Sequence, residues 1–236
     1  SDAEIALRVS TQGKTVSSTV QLWPEDEDWH CDCGRSLAAC EHVAASVIFL
    51  RRAADSGAEV KPSKAARLFY HFEKQSSTLL LRRELVAGEK RTPVERTLYA
   101  AAREAGMEFN PSKADASVEA VISETPGRIL PSVKMGQVLR LLQGSTHATL
   151  ESREIEIGRP ISPFRVVVED SPDGGVRVLF EKTEGVGDVF SNGAALFETQ
   201  LCPTNDPEFT AKEAELWRGR VFAPAQFTDL ASRILP

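Results

Sequence analysis

The chain has 236 residues, with 28 lysines and arginines against 34 aspartates and glutamates, for a formal charge of −6. Hydrophobic residues make up 42% and charged residues 26%, the balance of an ordinary globular chain of one or two domains that buries a core without staples. The net acidity argues against a protein that coats nucleic acid nonspecifically. No run approaches the roughly 20 apolar residues of a membrane span. The opening Ser1-Asp2-Ala3-Glu4-Ile5-Ala6-Leu7-Arg8 lacks the basic-then-apolar pattern of a leader. It also lacks a starting methionine, so a processed chain or a cut fragment is expected.

Ile5, Leu7 and Val9 alternate, Gln12-Gly13 offers a turn, and Val16, Val20 and Leu22 resume the pattern. This predicts a hairpin that feeds a further strand over Trp29 to Cys33. The intervening Glu25-Asp26-Glu27-Asp28 reads as an exposed acidic loop. Next comes Cys31-Asp32-Cys33-Gly34-Arg35-Ser36-Leu37-Ala38-Ala39-Cys40-Glu41-His42, which holds three of the four cysteines and one of the four histidines. Two pairs result, Cys31-x-Cys33 and Cys40-x-His42. Three thiolates and an imidazole are the soft, tetrahedral donor set that Zn²⁺ prefers, and four protein ligands leave no open position for catalysis. A disulfide scaffold has no use for the histidine. His30 is left as a strand residue, since its place next to Cys31 makes simultaneous binding awkward. Val43, Val47 and Leu50 recur at i, i+4 and i+7, predicting a helix from about Glu41 to Ala54, with Arg51 and Arg52 at the end where its dipole favours cations.

The ligand pattern, the hairpin before it and the Ala-rich apolar helix after it resemble the SWIM zinc finger, Cys-x-Cys, a variable gap, then Cys-x-His. The six-residue gap is at the short end for that family. Residues 1–58 are therefore expected to form a small ββ–zinc–α unit that draws part of its folding energy from the metal. The thiolates, held by zinc in a reducing compartment, imply the cytoplasm. Cys202 stands alone.

Lys61-Pro62-Ser63 marks a boundary, and residues 60–236 read as an α+β domain of β-hairpins and short helices. Leu68, Tyr70 and Phe72, then Leu79, Leu81 and Leu85, form the apolar stripes of a second hairpin around Gln75-Ser76-Ser77. Residues 61–91 hold eight basic residues (Lys61, Lys64, Arg67, Lys74, Arg82, Arg83, Lys90, Arg91) against three acidic ones, Glu73, Glu84 and Glu89. If Leu68, Tyr70 and Phe72 face the core, alternation puts Arg67, Phe69 and His71 on the other face, where Arg82 joins them. Cations beside an aromatic suit a nucleic-acid backbone with stacked bases; a solvated strand face is the plainer reading. Thr92-Pro93-Val94-Glu95 predicts a helix start running to Ala105 and stopping at Gly106. Pro131-Ser132 precedes a helix over Val133 to Leu142, stopped by Gly144. From Ala148 strands are expected, with Pro172-Asp173-Gly174-Gly175 as a hairpin turn between Arg165–Glu169 and Val176–Phe180, and further strand over Asp188 to Leu201. Pro224 to Ile234 reads as a short helix.

The order of this second part is similar to the region after a SWIM finger in bacterial SWI/SNF-type ATPases. The features are the Arg67–Leu85 hairpin and the stretch from Arg218-Gly219-Arg220-Val221-Phe222 through Phe227 and Leu230 to Ile234-Leu235-Pro236. The resemblance implies a non-catalytic region that precedes a DNA-dependent motor and binds DNA or a protein partner. The alternative is a stand-alone zinc-stabilised adaptor, which the net acidity favours.

Nothing in the chain reads as a catalytic constellation. Gly13-Lys14-Thr15 invites a phosphate-loop reading, but Arg8 stands where the first glycine is needed. No Asp-Glu-x-His box and no Gly-x-Ser-x-Gly elbow occurs. His71 and His147 lie in strand-like contexts without ligand spacing, and Glu151, Glu154 and Glu156 fit a solvated strand face. No ATP hydrolysis by this chain is expected.

Overall fold

A computed structural model describes residues 5–11, 16–34, 39–60, 65–123, 127–145, 147–172, 174–205 and 220–226. The Gly13-Lys14-Thr15 stretch, Lys61, Lys64, Arg218, Gly219 and the expected helix beyond residue 226 lie outside them. The architecture is mixed α+β, and the chain divides into two units: residues 1–70 with 83–124, and 71–82 with 125–236.

The first unit begins with an antiparallel sheet in the order β1-β2-β3, formed by β1 (Ile5–Val9), β2 (Ser18–Trp23) and β3 (Asp28–Cys31). Strand β2 starts two residues later than the Val16 expectation. In β1 the side chains Ile5, Leu7 and Val9 are half-buried while Ala6 and Arg8 are exposed, as period-two alternation requires. Helix α1 (Glu41–Asp55) covers the sheet, and Val20, Leu22, Cys40 and Val43 form the buried cluster between them. The inward stripe of α1 differs from the expected one. His42, Val43 and Ser46 are buried, whereas Val47 is 49% exposed. Turning His42 and Val43 inward puts residue 46 on the same face, and each step of about 100° then swings Val47 away.

The second hairpin forms as expected, from β4 (Arg67–Gln75) and β5 (Thr78–Ala87), with Leu68, Tyr70, Phe72, Leu79, Leu81 and Leu85 buried on alternate positions. Its base belongs to the first unit and its tip to the second. The expected helix start at Thr92 is corrected: β6 (Lys90–Pro93) is a strand paired antiparallel with β5, Pro93 ending it opposite Glu84. A proline is tolerated at that end because no further ladder bond needs its N–H. Helix α2 begins only at Leu98, where the Thr97 side chain accepts the Ala100 N–H, and it stops at Ala105 against a left-handed Gly106 (φ 61°). Helix α3 (Lys113–Ser123) was not anticipated.

In the second unit, α4 (Ser132–Leu141) buries Met135, Val138 and Leu139, and it packs on β13 (Ala194–Phe197) and β14 (Gln200–Pro203). These strands lie in a four-stranded sheet, β12-β13-β14-β9, with β12 (Val186–Phe190) and β9 (Glu156–Ile157) at its edges. β7 (Ala148–Leu150) and β8 (Arg153–Glu154) pair antiparallel. β10 (Phe164–Asp170) and β11 (Val176–Lys182) form the hairpin that the Pro172–Gly175 turn predicts. β15 (Arg220–Phe222) adds to β11 as a third strand.

Candidate metal centre

The four ligands are delivered by two elements. Cys31 ends β3, opposite Val20 of β2, and the chain turns at once through Cys33 and Gly34, whose φ of +81° suits a residue without Cβ. Cys40 is the N-cap of α1, and His42 occupies its first turn. The ligating atoms of Cys31, Cys33, Cys40 and His42 all lie within 4.8 Å of one another. His42 Nδ1 is 3.9 Å from Cys31 Sγ and 3.8 Å from Cys40 Sγ. A tetrahedron with bonds of about 2.3 Å to sulfur and 2.0 Å to nitrogen needs donor separations of roughly 3.5 to 3.8 Å. The cluster is thus close to a zinc site and reaches it with small side-chain adjustments. Cys40 and His42 are buried, while Cys31 and Cys33 are half-buried. His30 lies exposed on β3 and is not in the cluster.

The thiols are not equivalent. Burial pushes Cys31 up to about 12, reinforced by its neighbours Cys33 and Cys40. Burial also opposes ionisation of Cys40, but the Val43 N–H in the first turn of α1, with bonds from Cys33, His42 and Cys31, outweighs it and brings Cys40 down to about 6. Cys31 keeps its proton through the neutral range until metal displaces it. Zinc affinity is expected to rise as pH increases through that range and to fall steeply below about pH 6, where Cys40 must lose a proton as well. Competition with a chromophoric chelator at three pH values measures the slope.

The shell around the ligands is tied to β2. Asp32, between the first two ligands, accepts the Thr19 N–H at 3.0 Å and donates its own N–H to Thr19 O at 3.2 Å. Ser18 Oγ lies 3.5 Å from His42 Nε2. Neither residue stood out in the sequence, because their roles depend on strand register. Further along α1, Ser46 is 3% exposed, and its hydroxyl has no hydrogen-bond partner among the described residues. Ser46→Ala removes a buried unpaired hydroxyl and improves helix propensity, and is expected to raise stability by about 0.5 to 1 kcal/mol in denaturant titration.

The residues suggested for nucleic-acid contact lie on β4 and β5 in differing surroundings. Arg67 is exposed, and Phe69 and His71 are half-buried, His71 Nδ1 lying 2.8 Å from Thr149 Oγ1. Arg82 is exposed and donates to Glu73 at 2.6 Å. Other cations of the basic stretch are paired as well: Lys74 with Asp188 at 2.5 Å, Arg83 with Glu119, and Arg91 with Glu84 at 2.9 Å. Cys202 is buried in β14 and is not among the clustered ligands; burial raises its thiol.

Among the described residues no helix is long and apolar enough to cross a membrane. No family model, no curated protein and no solved structure matches the chain. The geometry itself supports a four-ligand cysteine/histidine cluster able to hold a metal ion, compatible with zinc and consistent with a zinc finger.

Proposed function

We propose that the chain is a non-catalytic, zinc-binding region of the SWIM type, of the kind that precedes the motor of a bacterial SWI/SNF-type DNA-dependent ATPase, and that it regulates that motor by binding a partner. The observation that carries the reading is the cluster of Cys31, Cys33, Cys40 and His42, whose donor atoms lie within 4.8 Å of one another. A site with four protein ligands has no position left for water or substrate, so its metal organises a surface and does no chemistry. Regulation then requires a surface that contacts the motor differently in two states. Joining the chain to such a motor should change the ATPase rate, or its stimulation by DNA, relative to the motor alone. An unchanged rate and stimulation would remove the motor and leave the stand-alone adaptor.

A protein partner is favoured over nucleic acid by two observations. Arg82 is paired with Glu73, and Lys74, Arg83 and Arg91 have carboxylate partners of their own. The finger helix meanwhile exposes Ile48 and Phe49, each by about half. The second reading, contact with a nucleic-acid backbone by Arg67, Phe69, His71 and Arg82, is separated by fluorescence anisotropy. On the favoured reading, Arg67→Glu with Arg82→Glu leaves DNA affinity unchanged. A weakened complex with a flattened salt dependence would restore the hairpin as the contact.

A further inference from the structure

Three consecutive residues of β2 and the approach to it, Ser17-Ser18-Thr19, each engage a different part of the first unit. Thr19 is joined to Asp32 by a reciprocal pair of bonds, its N–H to Asp32 Oδ1 at 3.0 Å and the Asp32 N–H to its carbonyl at 3.2 Å. That clamp fixes the turn between Cys31 and Cys33. Ser18 faces the second ligand pair, with its Oγ 3.5 Å from His42 Nε2. His42 Nδ1 is the nitrogen turned toward the sulfurs, so the proton of the neutral ring belongs on Nε2, where the serine oxygen accepts it. Ser17, 2% exposed, points the other way: its N–H donates to Pro111 O at 3.0 Å, and its hydroxyl reaches Pro111 O at 3.2 Å and Asn110 O at 3.3 Å. Ser17 also bridges Ser112 in parallel fashion.

The corner thus reached is itself tightly held. Arg8, opposite Thr19 on β1, donates to Asn110 O at 2.7 Å and lies 3.3 Å from Asp115 Oδ2. The Ser112 N–H donates to Asp115 at 2.8 Å, and the Asp115 N–H to Ser112 Oγ at 3.1 Å, closing the start of α3. The side chains and backbone of residues 17 to 19 therefore link the metal ligands to this corner through consecutive hydrogen bonds.

We propose that Ser17-Ser18-Thr19 is the positioning run of the metal centre and makes docking of the 110–115 corner depend on metal occupancy. The proposal rests on the zinc reading and deepens it: Ser18 orients His42, Asp32 held by Thr19 orients the Cys31–Cys33 turn, and Ser17 transmits the result to α3.

The experiment uses the full chain. Zinc affinity is measured by chelator competition for the unaltered protein, Ser18→Ala, Ser18→Thr and Asp32→Ala. Amide exchange over residues 108–119 is followed with zinc bound and after stripping with EDTA. Ser18→Ala and Asp32→Ala should each weaken zinc binding about 10- to 100-fold, the range for lost outer-shell partners, while Ser18→Thr, which keeps the hydroxyl, stays near the unaltered value. In zinc-loaded protein the ring nitrogens of His42 should show Nδ1 bound to metal and a slowly exchanging Nε2 proton, kept in Ser18→Thr and lost to rapid exchange in Ser18→Ala. Stripping should raise exchange at 108–119 together with the finger. Ser18→Ala and Asp32→Ala within twofold of the unaltered affinity, Nε2 as the metal-bound nitrogen, or 108–119 unmoved by stripping would overturn the proposal while zinc binding stands. An unaltered chain that takes up no zinc would overturn both.

Discussion

Cys33→Ala or His42→Ala is expected to abolish stoichiometric zinc binding and to remove amide protection from β1, β2, β3 and α1. The apolar core under α1 is small, with Val20, Leu22, Cys40 and Val43 buried and Ile5, Leu7, Val9 and Leu50 only partly so. So small a core does not offset the conformational entropy of about 50 ordered residues, at roughly 1 to 2 kcal/mol each, without help. A structural zinc ion contributes an apparent binding energy on the order of 10 kcal/mol to folding in isolated fingers. Loss of one ligand opens the site, lowers affinity and leaves the remaining thiols competing with protons. The effect should reach residues 110–115 through Ser17 and Arg8 and leave the pairings β10–β11 and β13–β14 protected, since these lie inside the second unit. Elemental analysis of protein purified without chelators, paired with amide exchange, checks both halves. Absence of zinc from the unaltered protein, or full protection of α1 in the variants, would contradict the expectation.

What the sequence made legible follows from how locally each feature is encoded. The ligand set was readable because Cys31, Cys33, Cys40 and His42 fall within twelve residues and their donor chemistry is specific. The hairpins β4–β5 and β10–β11 were readable because period-two alternation flanks a turn in each. Strand β6 was hidden because Thr92-Pro93 is also a good helix opening, and only pairing with β5 decides the matter. The start of α2 moved to Leu98 because the Thr97 hydroxyl caps it. Helix α3 carried a signal that reading by apolar stripe overlooked: Ser112 and Asp115 stand three apart, and they bond each other reciprocally in the manner of a capping box. The basic stretch 61–91 shows the opposite limit. Its charge count is correct, but Glu119 and Asp188, two of the carboxylates that answer it, come from distant sequence. Ser18 and Thr19 act on the ligands only by strand register, which no local pattern encodes.

Asp115→Ala is expected to cost about 3 to 5 kcal/mol, on the scale of breaking a buried charged network by removing one partner. The residue is buried, retaining 5% exposure. It accepts the Tyr70 hydroxyl at 2.9 Å and the Ser112 N–H at 2.8 Å, with Arg8 at 3.3 Å. Tyr70 is itself 1% exposed, and burial, with the Asp115 charge behind it, holds its phenol well above the ordinary range, so it remains a donor at every working pH. Alanine leaves that hydroxyl and the Ser112 N–H buried without an acceptor, each costing about 1 to 3 kcal/mol, and opens a gap at the start of α3. Asp115→Asn keeps an acceptor for Tyr70 and should cost distinctly less. Arg8→Ala should cost least, about 1 kcal/mol or under, because the arginine side chain retains 29% exposure and water screens its charge. Denaturation of the three variants, read through amide exchange in α3 and β4, tests the order. Equal losses for Arg8→Ala and Asp115→Ala would mean that the ion pair, rather than the hydrogen bonds to Tyr70 and Ser112, holds the corner to which the finger is tied.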